Sequence, residues 1–190
     1  MLQLSDIRPG ATCLLDGDPF EVLEAQHVQL GRGGAILNTK LRNLRRGTTM
    51  RRTFKGNDTV PEANVEKRAA QFLYRHRGEY WFANPKHPKE RFQLTAEQLG
   101  DLTQWLIPKL KVEALVFEEE ILSAELPIKV DYTVLDAPPG LKGDTAQGGT
   151  KTVTLESGAT ILTPLFIETG DVVRVNTRTG EYVERISRRQ

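Results

Sequence analysis

The chain has 190 residues and an almost balanced charge, with 26 Lys and Arg against 25 Asp and Glu. Its hydrophobic share of 38% is typical of a globular protein in water, and no apolar run approaches the ~20 residues that a membrane helix needs. Cys13, the only cysteine, excludes an internal disulfide and lies among apolar residues, which predicts a buried and inert thiol. With no secretory signal visible at the N-terminus, we expect a cytoplasmic protein that does not bind membranes.

The first segment, residues 1–64, has frequent turn signals and little helical periodicity. Asp16-Gly17 predicts a hairpin turn between two short strands, and a second, longer hairpin is expected to have its tip at Gly31-Arg32-Gly33-Gly34. Residues 35–44 alternate in polarity, which predicts a half-buried strand. Its inner and outer faces are predicted to be Leu37, Thr39 and Leu41, and Asn38, Lys40 and Arg42, respectively.

The second segment, residues 65–127, contains the one short helix that the sequence signals. Thr95 can cap this helix with Gln98 as its capping-box partner, and Pro108 is expected to end it. The turn Glu118-Glu119-Glu120 lies between two predicted strands, so we expect solvated carboxylates there rather than a metal site. The strands of this segment are predicted at residues 71–74, 79–83, 112–117 and 121–126.

The third segment, residues 128–190, contains short strands and one long glycine-containing loop at residues 136–150. Short strands at this spacing indicate small antiparallel barrels, so we expect an all-β protein of three small β-barrels. The segment boundaries follow from Pro61 to Asn64 and from Pro127, where the strand pattern breaks. The strands of this segment are predicted near residues 129–135, 152–155, 159–164, 171–176 and 181–186.

Charge is distributed unevenly along the chain. Residues 25–57 contain eight basic side chains and no acidic one, whereas the rest of the chain holds 18 basic and 25 acidic residues. A local excess of this kind indicates a nucleic-acid-binding surface, although a solvated sheet face has the same pattern. Arg32 stands alone among glycines, as an arginine would on a thin loop that reaches into a partner. The basic residues are Arg32, Lys40, Arg42, Arg45, Arg46, Arg51, Arg52 and Lys55.

Catalytic chemistry has little support in the sequence. Gly143 to Gly148 has the glycine spacing of a phosphate-binding loop, but Gly149 stands where the lysine of that loop belongs. His27, His76 and His87 lie in separate contexts without cysteine partners at zinc spacing. We therefore expect a binding protein rather than an enzyme, with no metal and no cofactor.

Five stretches of the chain carry a family resemblance in their order, their spacing and the overall length. They are Ile7-Arg8-Pro9-Gly10; Gly31-Arg32-Gly33-Gly34-Ala35 with residues 40–47; Pro138-Pro139-Gly140-Leu141-Lys142-Gly143-Asp144-Thr145; residues 151–158 with 164–167; and Thr177-Arg178-Thr179-Gly180-Glu181-Tyr182-Val183. Together they resemble the bacterial elongation factor P family over essentially the whole chain. The segment matching least is Asn84 to Lys89.

This resemblance implies a KOW/SH3-like barrel over residues 1–64, and OB barrels over residues 65–127 and 128–190, in an L-shaped arrangement like tRNA. It implies a monomer that binds both ribosomal subunits between the peptidyl and exit tRNA sites and relieves stalling at consecutive prolines. The tip loop Gly31, Arg32, Gly33 and Gly34 would approach the acceptor end of the peptidyl-tRNA. Arg32 excludes the lysine modification of many family members and would be the target of any modifying enzyme.

The resemblance also assigns contact residues. Phosphate contacts in the first domain would come from Lys40, Arg42, Arg45, Arg46, Arg51 and Arg52. Contacts near the exit-site codon of the small subunit would come from Gly143, Asp144, Thr145, Tyr182 and Arg185. Two alternatives remain open: the elongation-factor-P-like paralogue, and a KOW/OB RNA-binding protein that acts away from the ribosome.

Overall fold

The structure is a computed structural model that describes residues 1–30, 34–139 and 149–188. In these ranges the chain forms fourteen strands in three sheets, and every strand pairing is antiparallel. The strands of each sheet lie within one of the three predicted segments, so the all-β prediction is confirmed. The segment boundaries and the L-shaped arrangement stay predictions.

The first sheet is built around one long hairpin. Its strands, in the order β1-β2-β3-β4, are β1 (Thr12–Leu15), β2 (Asp18–Leu30), β3 (Gly34–Asn43) and β4 (Thr49–Lys55). Pairing of β2 with β3 continues up to Leu30 opposite Gly34, which confirms the predicted hairpin with its tip in between. Leu37, Thr39 and Leu41 are buried in β3, as the alternation predicts.

The second sheet has the strand order β7-β6-β5-β8-β9. Its strands are β5 (Glu66–His76), β6 (Glu79–Ala83), β7 (Arg91–Thr95), β8 (Lys111–Phe117) and β9 (Glu120–Glu125). Strand β5 begins at Glu66, five residues before the predicted start at Gln71. The sequence did not indicate this part of the strand, because residues 66–69 are all exposed and show no alternation. Strand β7 has no counterpart among the sequence predictions, although it supplies the Thr95 cap of the helix.

The third sheet repeats the topology of the second. Its order is β12-β11-β10-β13-β14, formed by β10 (Lys129–Asp136), β11 (Thr150–Leu155), β12 (Thr160–Pro164), β13 (Val172–Asn176) and β14 (Glu181–Ser187). In both sheets the third strand in the chain lies at one edge and the fifth at the other. Strands β12 and β14 contact each other, which brings the two edges of the third sheet together as in a barrel.

The helix between β7 and β8 is shorter than predicted. It begins at the capping box, where the Thr95 hydroxyl accepts a hydrogen bond from the Gln98 amide and Gln98 Oε1 accepts one from the Thr95 amide. The α-helix α1 (Ala96–Leu99) then gives way to a 3₁₀ helix (Gly100–Trp105), since Gly100 adopts φ +56° and ψ −132°. The prediction of a single helix that reaches Pro108 was therefore wrong. Gly100 ends the α-helix earlier, because glycine adopts the positive φ angle of this position at little cost.

The second and third sheets share one hydrophobic core. Tyr132 of β10 is fully buried, and its ring lies 6.1 Å from that of Trp105. The Tyr132 hydroxyl donates a 2.8 Å hydrogen bond to the Trp105 carbonyl, and burial raises the pKa of this phenol. Buried side chains of both sheets thus form one cluster, while the first sheet has its own core around Val22, Leu37 and Leu41.

A third, smaller cluster joins the first sheet to the second. Leu44, at the end of the hairpin, packs with Leu115, Phe117 and Leu122 of strands β8 and β9. The next turn places Gly47 against α1, where a Cβ atom on residue 47 would lie 1.8 Å from the Glu97 carbonyl oxygen. Gly47 also has φ +71°, a conformation that side chains disfavour. The first domain can therefore dock on the second only with glycine at this position.

We predict that Gly47→Ala separates the first domain from the second. The methyl group would overlap the Glu97 carbonyl, so the helix or the turn must move apart. We expect a lower free energy of unfolding in urea and a larger radius of gyration by small-angle scattering.

Gly17→Ala provides the matched control. Gly17 has φ +85° with nothing within 4 Å of the added methyl group, so it carries the conformational cost without the clash. That cost is roughly 1–2 kcal/mol in both variants. Equal losses of stability and unchanged radii of gyration for the two variants would contradict the docking role of Gly47.

Candidate nucleic-acid interface

The outer face of β3 and β4 carries four basic residues, Lys40, Arg42, Arg51 and Lys55. Lys40 lies directly opposite Arg51, and Ile36 lies opposite Lys55, so these bases share one face of the sheet. Strand β2 on the other side of β3 contributes acids to the same face: Glu24 lies opposite Lys40, and Glu21 lies opposite Arg42. The stretch that has no acid in the sequence therefore meets acids from outside its range.

Arg42 faces the junction between domains rather than the open surface. Its Nη2 donates a hydrogen bond to the Gln98 carbonyl at the end of α1, and Ser123 donates to the same oxygen at 2.8 Å. Arg42 also lines a cleft of about 510 Å³ to which all three domains contribute, with Glu21, Asp101 and Arg178 among the other walls. Burial raises the pKa of the Glu21 carboxyl and lowers the pKa of the Arg42 guanidinium.

Arg45 is held at the same junction. It forms ion pairs with Glu120 of the second domain and with Asp18, whose Oδ1 lies 3.5 Å from the arginine Nε. Arg46 Nη2 lies 3.4 Å from Asp18 Oδ2. This ion pair is weak because 71% of the Arg46 side chain is exposed to solvent. We therefore assign Arg42 and Arg45 to domain docking and keep Arg46 among the candidate phosphate contacts.

Strand β4 offers the most open basic side chains. Arg51 and Arg52 are exposed, and within residues 1–30, 34–139 and 149–188 no carboxylate lies within 4 Å of either guanidinium. Arg51 shares the outer face with Lys40, which forms an exposed 3.2 Å ion pair with Glu24. Arg52 points to the other side of the strand, because it lies opposite the buried Thr39, and its guanidinium lies 5.4 Å over the ring of Phe54. Lys55 adds an exposed base nearer the tip. Such side chains can contact phosphates without regard to sequence.

The hairpin tip itself lies mostly outside the described residues. Gly31, Arg32 and Gly33 fall in the gap between residues 30 and 34, and Gly34 begins β3. The role of these four residues stays a prediction. The structure does describe both strands leading to them, with β2 reaching Leu30 and β3 starting opposite it.

The candidate contacts of the third domain are divided in a similar way. Gly143, Asp144 and Thr145 lie outside the described residues. Tyr182 is half-buried and packs against the core. Arg185 contacts side chains of its own domain. Its Nη1 lies 3.3 Å from the buried Asp171 carboxylate, and its guanidinium lies 4.8 Å from the centre of the Phe166 ring. Arg185 thus orients the Phe166 turn, and we place it outside the direct contacts.

Cys13 is fully buried, as predicted, and burial raises the pKa of its thiol. Over the ranges that the structure describes, no three His, Cys, Asp or Glu side chains come together as metal ligands would. No helix among the same residues is long and apolar enough to cross a membrane.

Comparison with known proteins identifies the family. Three family models match in order: an elongation factor P KOW-like domain at residues 3–60, an elongation factor P OB domain at residues 65–124 and an elongation factor P C-terminal domain at residues 130–185. Elongation factor P of Moorella thermoacetica is 45% identical over 185 residues, which cover 97% of this chain and 100% of that protein. The chain belongs to the elongation factor P family.

Other relatives give the same result. Elongation factor P of Carboxydothermus hydrogenoformans is 40% identical over 186 residues, which cover 98% of this chain and 100% of that protein. Among solved structures, eukaryotic translation initiation factor 5A from Methanococcus jannaschii is 16% identical with a TM-score of 0.43, covering 65% of this chain and 94% of that one. The family models confirm the predicted KOW-like and OB folds, and membership makes this chain a ribosome-associated translation elongation factor.

We predict that Arg51→Glu with Arg52→Glu weakens ribosome binding by this elongation factor P family member. Both side chains are exposed on the edge strand, so folding should be unaffected. Loss of two phosphate contacts should reduce the slope of log affinity against log salt by about 2. Pelleting of labelled protein with ribosomes over a salt titration measures both effects.

The control is Lys111→Glu with Lys129→Glu, which changes the net charge equally at exposed positions away from the hairpin. Equal weakening by both pairs would show that net charge governs binding, and that the exposed bases of β4 are only solvated.

Proposed function

We propose that this protein binds the ribosome between the peptidyl and exit tRNA sites and restarts peptide-bond formation at consecutive prolines. It acts by positioning the acceptor end of the peptidyl-tRNA, without a catalytic residue of its own. The observation that carries the proposal is the long β2–β3 hairpin, anchored at its base and carrying Arg32 in the three residues that join its ends.

The length of the hairpin supports a reaching role. Strand β2 has 13 residues, and a strand of this length spans about 40 Å at ~3.3 Å per residue. Glycines around Arg32 let the backbone approach RNA without side-chain clashes. The arginine offers a flat fork of donors to phosphate or a base. Pairing with β4 ends at Ile36, so the last pairs up to Leu30 and Gly34 extend beyond the edge strand as two strands only. A thin tip of this kind suits a crowded, RNA-lined site better than a flat binding face would.

The anchored base supports a positioning role. The contacts of Arg42, Arg45, Leu44 and Gly47 with the second domain fix the direction of the hairpin relative to the body of the protein. Positioning of reactants can contribute roughly 7–11 kcal/mol in favourable cases, so even a small part of it would restart a stalled step. A hinged or mobile hairpin could not deliver this contribution.

Partners follow from the same arrangement. The exposed bases on and near the edge strand β4, which are Lys40, Arg46, Arg51 and Arg52, would contact RNA phosphates of the large subunit or the peptidyl-tRNA. The third domain would contact the small subunit through Gly143, Asp144 and Thr145, and Tyr182 would be a further contact. Arg32 would also be the substrate of any enzyme that modifies this protein.

The second candidate function is that of a KOW/OB protein that acts on free RNA. The exposed bases of β4 alone would support this function equally well. The two are separated by dependence on the ribosome: the proposed function requires binding to ribosomes rather than to free RNA of matched length.

We predict that Arg32→Ala abolishes rescue of a triple-proline stall with little effect on stability or ribosome binding. The other bases remain, and the glycines around Arg32 predict a surface position, where a substitution usually changes stability by no more than about 0.5 kcal/mol. Synthesis of a triple-proline reporter and of a proline-poor control in a reconstituted translation system measures the effect.

Arg32→Lys, in a system without a lysine-modifying enzyme, keeps the charge and removes the planar fork. If Arg32→Ala rescues the stall as well as the parent protein does, the role assigned to this loop is wrong.

A further inference from the structure

The second domain presents two aromatic rings on the outside of its sheet. Tyr74 of β5 lies directly opposite Trp81 of β6, and Trp81 lies directly opposite Gln93 of β7. The two rings are close to parallel, with an interplanar angle of 24° and centroids 6.3 Å apart. Tyr74 is 45% exposed, Trp81 is half-buried and Gln93 is exposed. We call these three residues the aromatic row.

The domain core does not account for the aromatic row. Strands β5, β6 and β7 fill their inner face with other side chains: Phe72, Tyr80, Phe82 and Leu94, all buried. Phe72 and Phe82 pack edge to face within that core, with centroids 5.4 Å apart. Tyr74 and Trp81 therefore place large apolar surface toward solvent on the opposite side of the sheet.

The aromatic row lies in the basic part of the second domain. Residues 75–91 hold five Lys and Arg against two Glu, whereas the rest of residues 65–127 holds four Lys and Arg against eight acids. Arg91 lies two residues before Gln93 on β7, opposite Ala83. Lys86 and Lys89 lie exposed in the preceding loop, and within the described parts of the chain no carboxylate lies within 4 Å of Lys86, Lys89 or Arg91.

We propose that the aromatic row binds unpaired bases of single-stranded RNA. Bases would stack on Tyr74 and Trp81, which tolerate any base because each base has a π-face. The amide of Gln93, which now donates to Glu79 Oε1 at 3.2 Å, can exchange that bond for the edge of a base. Lys86, Lys89 and Arg91 would hold the phosphates on one side of the row.

Charge complementarity and surface composition favour RNA over a protein partner. The row on one side of the aromatic row is polar and consists of His76, Glu79 and Thr95, and the row on the other side holds Gln71, the small buried Ala83 and Arg91. Two isolated rings between these rows suit stacked bases, whereas protein contacts bury a broader apolar centre. The aromatic row is separate from the exposed bases of β4 and from the hairpin tip. The inference therefore goes beyond the proposed function and does not depend on it.

Fluorescence of Trp81 provides a direct test on the full-length protein. The other tryptophan, Trp105, is 5% exposed, so only Trp81 can stack on an added base. To weaken binding by the first domain, the test uses the Arg51→Glu, Arg52→Glu background. We expect a 12-nucleotide single-stranded RNA of mixed A and U to quench the fluorescence, and the same sequence in a duplex not to quench it.

Matched variants separate stacking from folding. Removing a stacking ring weakens single-strand binding by about 5- to 150-fold, so we expect this loss of affinity for Tyr74→Ala by RNA anisotropy. Tyr74→Phe keeps the ring and should bind as the parent does. Trp81→Phe should keep most of the affinity while losing the quenching. Leu162→Ala, which removes a side chain that is 63% exposed on β12, should change neither.

Three results would overturn the proposal: equal affinity of Tyr74→Ala and Leu162→Ala for the RNA, equal quenching by single-stranded RNA and duplex, or no RNA binding in the Arg51→Glu, Arg52→Glu background. If no RNA bound but Tyr74→Ala released the protein from ribosomes, the aromatic row would be a ribosome contact that does not bind unpaired bases. Because the RNA assay contains no ribosome, its failure would leave the role of Arg32 untouched.

Discussion

The contact between the turn at Gly47 and helix α1 is the constraint on which the rest of the arrangement depends. A glycine without a side chain lets the turn rest on the Glu97 carbonyl, and Arg42 then reaches the next carbonyl, that of Gln98. The helix is only four residues long, and its capping box fixes where these carbonyls lie. Short as it is, α1 therefore connects two edges of its own sheet and also supports the first domain.

The basic stretch shows how a charge pattern divides once the chain is folded. Eight bases without an acid suggest a single surface, but β2 supplies Asp18, Glu21 and Glu24 from outside the stretch. Arg42 and Arg45 become part of the domain junction, while Arg51 and Arg52 stay exposed on the edge strand, one on each side of it. A count along the sequence could not separate these two groups, because cross-strand register decides which base meets which acid.

Local patterns predicted the elements well and contacts between domains poorly. The alternation around Leu37 and the capping box at Thr95 depend on neighbouring residues, so the sequence carried them. Strand β7 and the aromatic row were missed, because Tyr74, Trp81 and Gln93 meet only after three strands pair. The tip residues were singled out by the glycines around Arg32 and by the family resemblance, and their role stays a prediction.

The hairpin also acts as a lever whose base is the Gly47 joint. Along an arm of about 40 Å, a tilt of roughly 1.5° at the base displaces the tip by about 1 Å. A misplacement of this size can cost on the order of 100-fold in a reaction that depends on alignment. Residues distant from the tip, such as Ser123 and Glu120 in the second domain, therefore bear on where Arg32 is delivered, although they lie on another sheet.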